Sequence, residues 1–575
     1  MLNANVTIKT TRDPNTINWH TIDWSNVHKK VNNLRKRIYR ASANGNMKLA
    51  GNLQKLMLKS NSNKLLAIRR VTLINQGKNT PGIDKVVINT DRAREELSQK
   101  LAKITPSSVQ PIKRVYIPKK GGKTRPLGLP TILDRCKQAI VKSALEPFWE
   151  AKFEGCSYGF RPGRSSHDAV QKLFCIVRPG KTRRWILDAD IEGAFDNISH
   201  EFLIKTIGNF PGRNWIEAWL KSGVVENYQF APTIAGTPQG GIISPLLANI
   251  VLHGMEDVLN ITYDKYGRLH QKSEYALVRY ADDFVICAKS EEACTKAKEV
   301  VSNWLNIRGL KLSEAKTKIV SVEQGFDFLG FNIRQYKTKS KRRGIAVLIK
   351  PSKDSVKSFK KSMSLEWKKS MSWSIDRVIG NLNPKIKGWC SYFNKVVSKR
   401  TFSMLDNWMW IRQSRFVCKR HPNKHWWWLK AKYWGRIKGR NDNWVFMDKS
   451  KLKELYLWKP SWTEIKRHIL VVGKASPDNP ELQSYWQKRQ TNNKKYLFKI
   501  RQIIWRKQEG KCTVCLDNID NGEAVHLHHK LPRKNKGTDH INNLALLHMN
   551  CHMQVHSKQG QQIANVSKLL EPYAG

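Results

Sequence analysis

Five aspartates in two short apolar settings are the first residues here whose type and spacing could do chemistry. One segment reads Leu187-Asp188-Ala189-Asp190-Ile191-Glu192-Gly193-Ala194-Phe195-Asp196. The other reads Tyr280-Ala281-Asp282-Asp283, flanked by Leu277 and Val278 before it and by Phe284, Val285 and Ile286 after it. Carboxylates crowded at the end of an apolar strand repel one another, and divalent cations between them remove that penalty. Two-metal phosphoryl transfer needs this arrangement, and Mg²⁺ suits its all-oxygen ligands. Taken alone, the four-residue Tyr-Ala-Asp-Asp segment is equally an acidic hairpin turn.

A second group lies near the C-terminus. Cys512-x₂-Cys515 is followed by His548-x₂-Cys551, two ligand pairs that together suit a tetrahedral structural Zn²⁺ and would staple a small domain with little core. Between the pairs sit His526, His528 and His529, then Asn543. His552 and His556 follow at i and i+4, on one helix face. A third group is basic and aromatic. Residues 337–449 hold 29 Lys+Arg against 6 Asp+Glu, and 14 of the 21 Trp lie between Trp367 and Trp505. Cations of this density contact phosphates, and indoles stack on unpaired bases. The run Trp426-Trp427-Trp428 is the best stacking candidate, although core packing is the ordinary fate of any one Trp.

These residues need elements to hold them. The spacing of Val31, Leu34, Ile38, Leu53, Leu56, Leu65 and Ile68 reads as helix through most of residues 19–75. Tyr116 to Pro130 reads as a strand, a basic glycine turn and an extended segment, and Ile132 to Trp149 as an amphipathic helix. Trp185 to Ile191 is a short strand that puts Asp188 and Asp190 on one face. Tyr275 to Ala288 reads as a hairpin turning at Ala281-Asp282-Asp283. The formal net charge of +56 over 575 residues demands a polyanionic partner. Ten Cys with a single CxxC pair exclude a disulfide framework. No apolar signal core and no membrane span are read, so a reducing, intracellular compartment is expected.

The order of the motifs gives the acidic turn its meaning. Arg125 in GKTRPLG, Asp190 in DIEGAFD, residues 236–245 in GTPQGGIISP, YADD, residues 309–316 in GLKLSEAK and residues 327–331 in DFLGF follow one another. In this order the sequence closely resembles the group II intron-encoded reverse transcriptases, from about Trp19 to the C-terminus. The turn NTPGID at Asn79 to Asp84 departs from the family's TPGVDG at Ile83 and Lys85.

The resemblance implies roles at matching positions. Asp190 and Asp282 would be the metal ligands with Asp283 beside them, Asp188 being the runner-up to Asp190. Phe195 would be a steric gate against a 2′-hydroxyl, or else a core phenylalanine. Lys119 and Arg125 would grip the triphosphate and Gln239 would pack against the incoming nucleotide. Lys316 would support the carboxylates or stand exposed. The segment from Asn383 to Lys424 resembles the thumb/X domain, in which Lys385, Lys387, Lys399 and Arg400 would bind RNA. The C-terminal cluster resembles an HNH nuclease. His529 would be the general base, and His528, His552 and His556 would hold a divalent cation (Mg²⁺, Mn²⁺ or another). Asn543 would brace the loop and orient His529, and His526 would be structural. The alternative there is a second structural metal without cleavage.

The expected fold is therefore α+β. It comprises a helical extension (1–90), right-hand fingers and palm (91–340), a helical thumb/X domain (341–450), a basic DNA-binding segment (451–508) and a ββα-metal nuclease with a zinc site (509–575). The expected function is RNA-directed DNA synthesis and assisted splicing. Mobility would proceed by target-primed reverse transcription, with HNH cleavage of the second DNA strand. The partners would be group II intron RNA, target DNA and dNTPs, with a homodimer left open. The expected site of action is the cytoplasm, as a nucleoid-associated ribonucleoprotein, or an organelle. The rivals are a splicing-only maturase and a domesticated reverse transcriptase without mobility.

Overall fold

The computed structural model describes residues 18–102, 109–118, 124–264, 267–339, 344–437, 439–449, 455–492, 499–532, 537–557, 559–563, 565–566 and 569. Helical periodicity at the N-terminus becomes α1 (Trp24–Ala43), α2 (Met47–Lys59), α3 (Asn61–Arg69) and α4 (Asp91–Ala102). The Asp23 side chain caps α1 by accepting the Asn26 N–H, which satisfies one of the donors a helix start leaves open. Strands β1 (Ile112–Pro118) and β2 (Thr124–Leu129) pair antiparallel, with Ile117 opposite Arg125. Helices α5 (Ile132–Glu150) and α6 (Ser166–Val177) follow.

The central sheet is built on β3 (Trp185–Glu192). Leu187, Ala189 and Ile191 of β3 point into the largest hydrophobic core, so Asp188 and Asp190 share the other face. After β3 come α7 (His200–Ile207), α8 (Arg213–Lys221), the hairpin β4 (Val224–Glu226) and β5 (Gln229–Ala231), α9 (Ser244–Val251) and α10 (Met255–Val258). The hairpin β6 (Ala276–Tyr280) and β7 (Asp283–Ala288) then lies beside β3. After α11 (Glu291–Asn306), strands β8 (Lys311–Leu312) and β9 (Lys318–Ser321) pair with the opposite edge of β3. Every long apolar side chain buried in this core contributes about 1.5–3 kcal/mol, which fixes the register of a strand carrying two acids.

A three-stranded sheet, β10 (Phe326–Phe328), β11 (Phe331–Lys337) and β12 (Ile345–Pro351), leads into helices α12 (Lys353–Lys369), α13 (Ile375–Phe393), α14 (Lys399–Arg420) and α15 (Trp426–Tyr433). Short strands β13 (Trp434–Gly435), β14 (Val445–Asp448) and β15 (Leu455–Tyr456) close this region. The buried Asp168 carboxylate of α6 then accepts from His468 at 2.8 Å, from the Val471 N–H at 2.9 Å and from Arg489 at 2.8 Å. Arg35 of α1 forms a two-bond fork with Asp478. The basic segment is therefore bound along the body of the protein at several points.

Helices α16 (Gln483–Asn492) and α17 (Lys499–Lys507) precede strands β16 (Val525–His529) and β17 (Leu544–His548) and helix α18 (Met549–His556). This C-terminal ββα unit does not stand apart. Val514, Leu546 and Val555 occupy one core with Trp19, Trp24 and Ile68 of the N-terminal helices. Gln554 donates to the carbonyls of His20 and Ile22, and Trp19 Nε1 donates to Asn550 Oδ1 at 3.0 Å. Among the described residues no helix is long and apolar enough to cross a membrane.

Candidate active site and metal centres

The alternation in β3 and the tight turn between β6 and β7 bring the acidic residues together. Asp190 lies directly opposite Asp283 in the antiparallel register, and Asp188 lies opposite Val285 on the same face. A like-charge pair directly across a sheet is destabilising. Asp282 occupies the two-residue turn beside it, after Ala281, whose φ is +59°. A left-handed non-glycine residue costs on the order of 1–2 kcal/mol, so its surroundings must hold it there. They do: Arg279, fully buried, donates to the Ala281 carbonyl at 3.3 Å and to Asn249 at 3.0 Å. Asn249 in turn donates to the Gly159 carbonyl. Gly159 lies so close beneath the turn that a Cβ there would sit 2.3 Å from the Ala281 nitrogen.

Desolvation in this crowded site, then the charges of Asp282, Asp190 and Asp188, push Asp283 up to about 7. Asp188 is pushed up to about 6 by burial, Asp327 and Asp190, against Lys318. Asp282 is raised chiefly by burial. Lys316 forms an ion pair with Asp190. The site thus resists holding all its charges unaided, and its hard oxygen donors fit Mg²⁺.

The residues expected near a nucleotide converge on the same place. Arg125 Nε donates to Gln239 Oε1 at 2.7 Å, and Gln239 Nε2 donates to Asp196 Oδ2 at 3.0 Å. Lys119, expected beside Arg125, lies outside the described residues. Gly236 and Thr237 donate their N–H groups to the carbonyls of Ile198 and Phe195. Gly236, at φ +88°, passes so close that a Cβ would stand 2.4 Å from the Asp196 oxygen. Phe195 is only 7% exposed and meets the half-exposed ring of Phe160 edge-on, at 6.3 Å between centroids. Asp196 and Phe160 escaped the reading of the sequence. Asp196 is visible as the second aspartate of DIEGAFD; Phe160 gives no local signal.

On α13 and α14 the four expected RNA contacts have unequal freedom. Lys385 pairs with Glu366 at 2.7 Å, Lys387 stands over the Trp458 ring at 4.8 Å and Lys399 donates to the Ser461 carbonyl at 2.6 Å, while Arg400 is exposed. Of the Trp run, Trp426 packs against Trp410 and Trp434. Trp427 is 65% exposed with Lys430 over its ring at 5.0 Å, and Trp428 has Lys432 at 4.6 Å.

At the C-terminus two separate clusters form. The ligand atoms of Cys512, Cys515, His548 and Cys551 lie within 4.8 Å of one another, all four residues being buried. Leu516, at φ +58°, lets its N–H reach the Cys512 carbonyl while the Cys512 N–H reaches the Asp517 carbonyl. The His548 Nε2 faces the Asn518 carbonyl at 3.0 Å and its Nδ1 faces Cys515 Sγ at 3.3 Å. Such a partner fixes the tautomer whose free nitrogen can ligate. This soft, closed donor set fits Zn²⁺.

His528, His552 and His556 form the other cluster. Burial and the neighbouring imidazoles bring His528 and His552 down to about 4, which leaves their rings neutral and able to ligate. His526 Nδ1 lies 3.4 Å from His552 Nδ1. Asn543 donates to the carbonyls of Leu531 and Thr538 and accepts the Leu531 N–H, so it braces the loop. The side chain that holds His529 is Asp539, with Nε2 to Oδ1 at 2.7 Å. Asp539 also escaped the sequence reading.

Family descriptions match along the chain in this same order. The N-terminal domain of reverse transcriptase matches residues 19–101, and reverse transcriptase (RNA-dependent DNA polymerase) matches residues 117–333. The group II intron maturase-specific domain matches residues 356–434 and HNH endonuclease matches residues 512–558. Protein YkfC of Escherichia coli is 33% identical over 344 residues, covering 53% of this chain and 89% of that protein. The group II intron-encoded protein LtrA of Lactococcus lactis is 33% identical over 404 residues, covering 56% of this chain and 66%, just under two thirds, of LtrA. A 91 kDa protein in the cob intron of Schizosaccharomyces pombe is 25% identical over 453 residues, 66% of this chain and 54% of its own. The chain belongs to the group II intron-encoded proteins and joins a reverse transcriptase, a maturase-specific domain and an HNH endonuclease in one polypeptide.

Proposed function

We propose that the chain synthesises DNA on an RNA template at the Asp190, Asp282 and Asp283 cluster, assists splicing of its group II intron RNA, and cuts DNA at the His529 site. The observation that carries the reading is the in-register meeting of Asp190 and Asp283, with Asp282 in the adjoining turn and the Arg125–Gln239–Asp196 chain alongside. Asp190, Asp282 and Asp283 would hold Mg²⁺, with Asp190 oriented by Lys316, and the ions would supply Lewis acidity to phosphoryl transfer. Arg125 and Lys119 grip the dNTP triphosphate, Arg125 by its fork. Gln239 packs on the nucleotide and Phe195 leaves no space for a 2′-hydroxyl. In the nuclease, His528, His552 and His556 hold a divalent cation, Mg²⁺ or Mn²⁺. His529 accepts a proton from the attacking water, and Asn543 keeps the surrounding loop in place. Zn²⁺ on Cys512, Cys515, His548 and Cys551 maintains the domain.

The splicing chemistry is the RNA's own, so the protein's part is binding, through Lys385, Lys387, Lys399, Arg400 and the exposed indoles beside them. Target DNA then enters as substrate. The intron RNA inserts into one strand, and cleavage of the other exposes the 3′-hydroxyl that primes synthesis. The test is Asp282→Ala with Asp283→Ala in one chain. Primer extension on RNA should disappear while intron RNA affinity and splicing persist. Robust extension by this double variant excludes the assignment.

A further inference from the structure

Arg69 is the last residue of α3 and is 1% exposed, yet it faces the C-terminal Cys/His cluster 443 to 482 positions later in the chain. Its Nη2 lies 3.5 Å from Cys551 Sγ and 3.9 Å from Cys515 Sγ. The same nitrogen donates to Glu523 Oε2 at 3.0 Å, and Nε reaches that oxygen at 3.3 Å. The guanidinium stands over the Trp24 ring at 4.7 Å. Glu523 is itself tied into the C-terminal unit, because its Oε1 accepts the Asn550 N–H at 2.8 Å.

A guanidinium stays charged at any pH a protein survives, so this cation is buried with full charge. Glu523 offsets one charge. Three thiolates and a neutral imidazole around a divalent cation leave one net negative charge, and that charge lies on the sulfurs that Arg69 faces. N–H donation to a thiolate stabilises its deprotonated, ligating form, and partners of this kind alter metal affinity by about 10–100-fold.

We propose that Arg69, in the N-terminal helical region, is the outer-sphere partner of the C-terminal metal site and sets how tightly that site keeps its ion. The inference rests on the reading of Cys512, Cys515, His548 and Cys551 as zinc ligands. It makes metal retention in the nuclease domain dependent on the docking of α3. Neither region's sequence alone contains the complete site.

The experiment uses the full-length chain. Wild type should carry zinc at this site; a chain that takes up no zinc refutes the ligand reading and the inference with it. If wild type holds zinc, Arg69→Met should hold it about 10–100-fold more weakly against a competing chelator and so release it faster. Arg69→Lys, which keeps the charge and a donor, should recover part of the difference. With Co²⁺ in place of zinc, loss of N–H donation raises the sulfur donor level. Arg69→Met should therefore move the sulfur-to-cobalt charge-transfer band to lower energy. Trp19→Phe loosens the same interface without touching sulfur, so it should leave that band where wild type has it. Should Arg69→Met fail to fold, Arg69→Lys must still show a displaced band. Zinc release and a cobalt spectrum identical to wild type in the Arg69 variants overturn the role of Arg69 and leave the ligand assignment standing.

Discussion

Gly159→Ala should disable polymerisation without touching a single candidate catalytic group. A Cβ built on Gly159 falls 2.3 Å from the Ala281 nitrogen, 2.8 Å from the Tyr280 carbonyl carbon and 3.0 Å from the Ala281 Cα. All three are backbone atoms of the turn that carries Asp282, so no flexible side chain can yield. Ordinary contact begins near 3.4 Å, so the turn must retreat by about 1 Å, a misplacement that in a preorganised site lowers the rate about 10²-fold. Arg279 and Asn249 clamp the turn from behind, which prevents the chain from absorbing the shift elsewhere. The assay is single-turnover primer extension on an RNA template with saturating dNTP, alongside intron RNA affinity as a control for folding. Gly51→Ala is the matched control: that glycine lies within α2 and an added Cβ meets nothing within 4 Å. It should extend primers at the wild-type rate. If Gly159→Ala also extends at the wild-type rate, catalysis does not depend on the close packing of Gly159 against the turn.

Four further perturbations probe the other sites. Phe195→Ala should raise incorporation of rNTP relative to dNTP, because it opens space at the end of β3; an unchanged ratio with activity retained makes Phe195 a core residue only. His529→Ala should abolish second-strand nicking while zinc content and primer extension persist. Asp539→Asn weakens the bond that aims His529 and should slow nicking about tenfold, close to the worth of one charge-assisted hydrogen bond; normal nicking by the His529 variant rejects the mechanism. Arg400→Glu should weaken intron RNA binding and lower the salt slope by about one unit. A titration of binding against salt concentration decides this, and an unchanged slope removes Arg400 from the interface.

What could be read from the sequence was what nearby residues determine. Period-two alternation put Asp188 and Asp190 on one face of a strand, and the register with β7 places them there. Two apolar runs around Ala281-Asp282 gave the hairpin, and paired spacings picked out Cys512, Cys515, His548 and Cys551, which the fold gathers. What escaped was set by contacts distant in sequence. Gly159 acts on a turn some 120 positions away and Phe160 on Phe195, and the backbone bonds of Cys156 and Tyr158 with Arg279 bring this segment beneath the turn. Asp539 reaches His529 from the far end of a basic segment, where a single acid gives no local signal. The basic residues show that a charge counted in the sequence has partners in the fold. Lys385 meets Glu366 and Lys399 meets the Ser461 carbonyl, so RNA phosphates there must compete with contacts the protein already makes. Charge density identified the partner, and side-chain geometry distributes the contacts.

The same reasoning changes how the nuclease should be regarded. A ββα unit joined only by a flexible segment would be a module on a tether, its reach following from linker length. In the fold Trp19, Trp24 and Ile68 share a core with Val514, Leu546 and Val555, and Arg69 with Glu523 places a buried ion pair across the same junction. The intervening segment is fastened too, by Asp168 to His468 and Arg489 and by Arg35 to Asp478. Removing one partner from a buried pair leaves an uncompensated charge and costs about 3–5 kcal/mol, so these contacts resist separation. The two chemistries of this chain are therefore held at a fixed spacing by the N-terminal helices. If DNA is cut at the His529 site and its new end extended at the Asp282 site, as proposed, that spacing constrains the one position relative to the other.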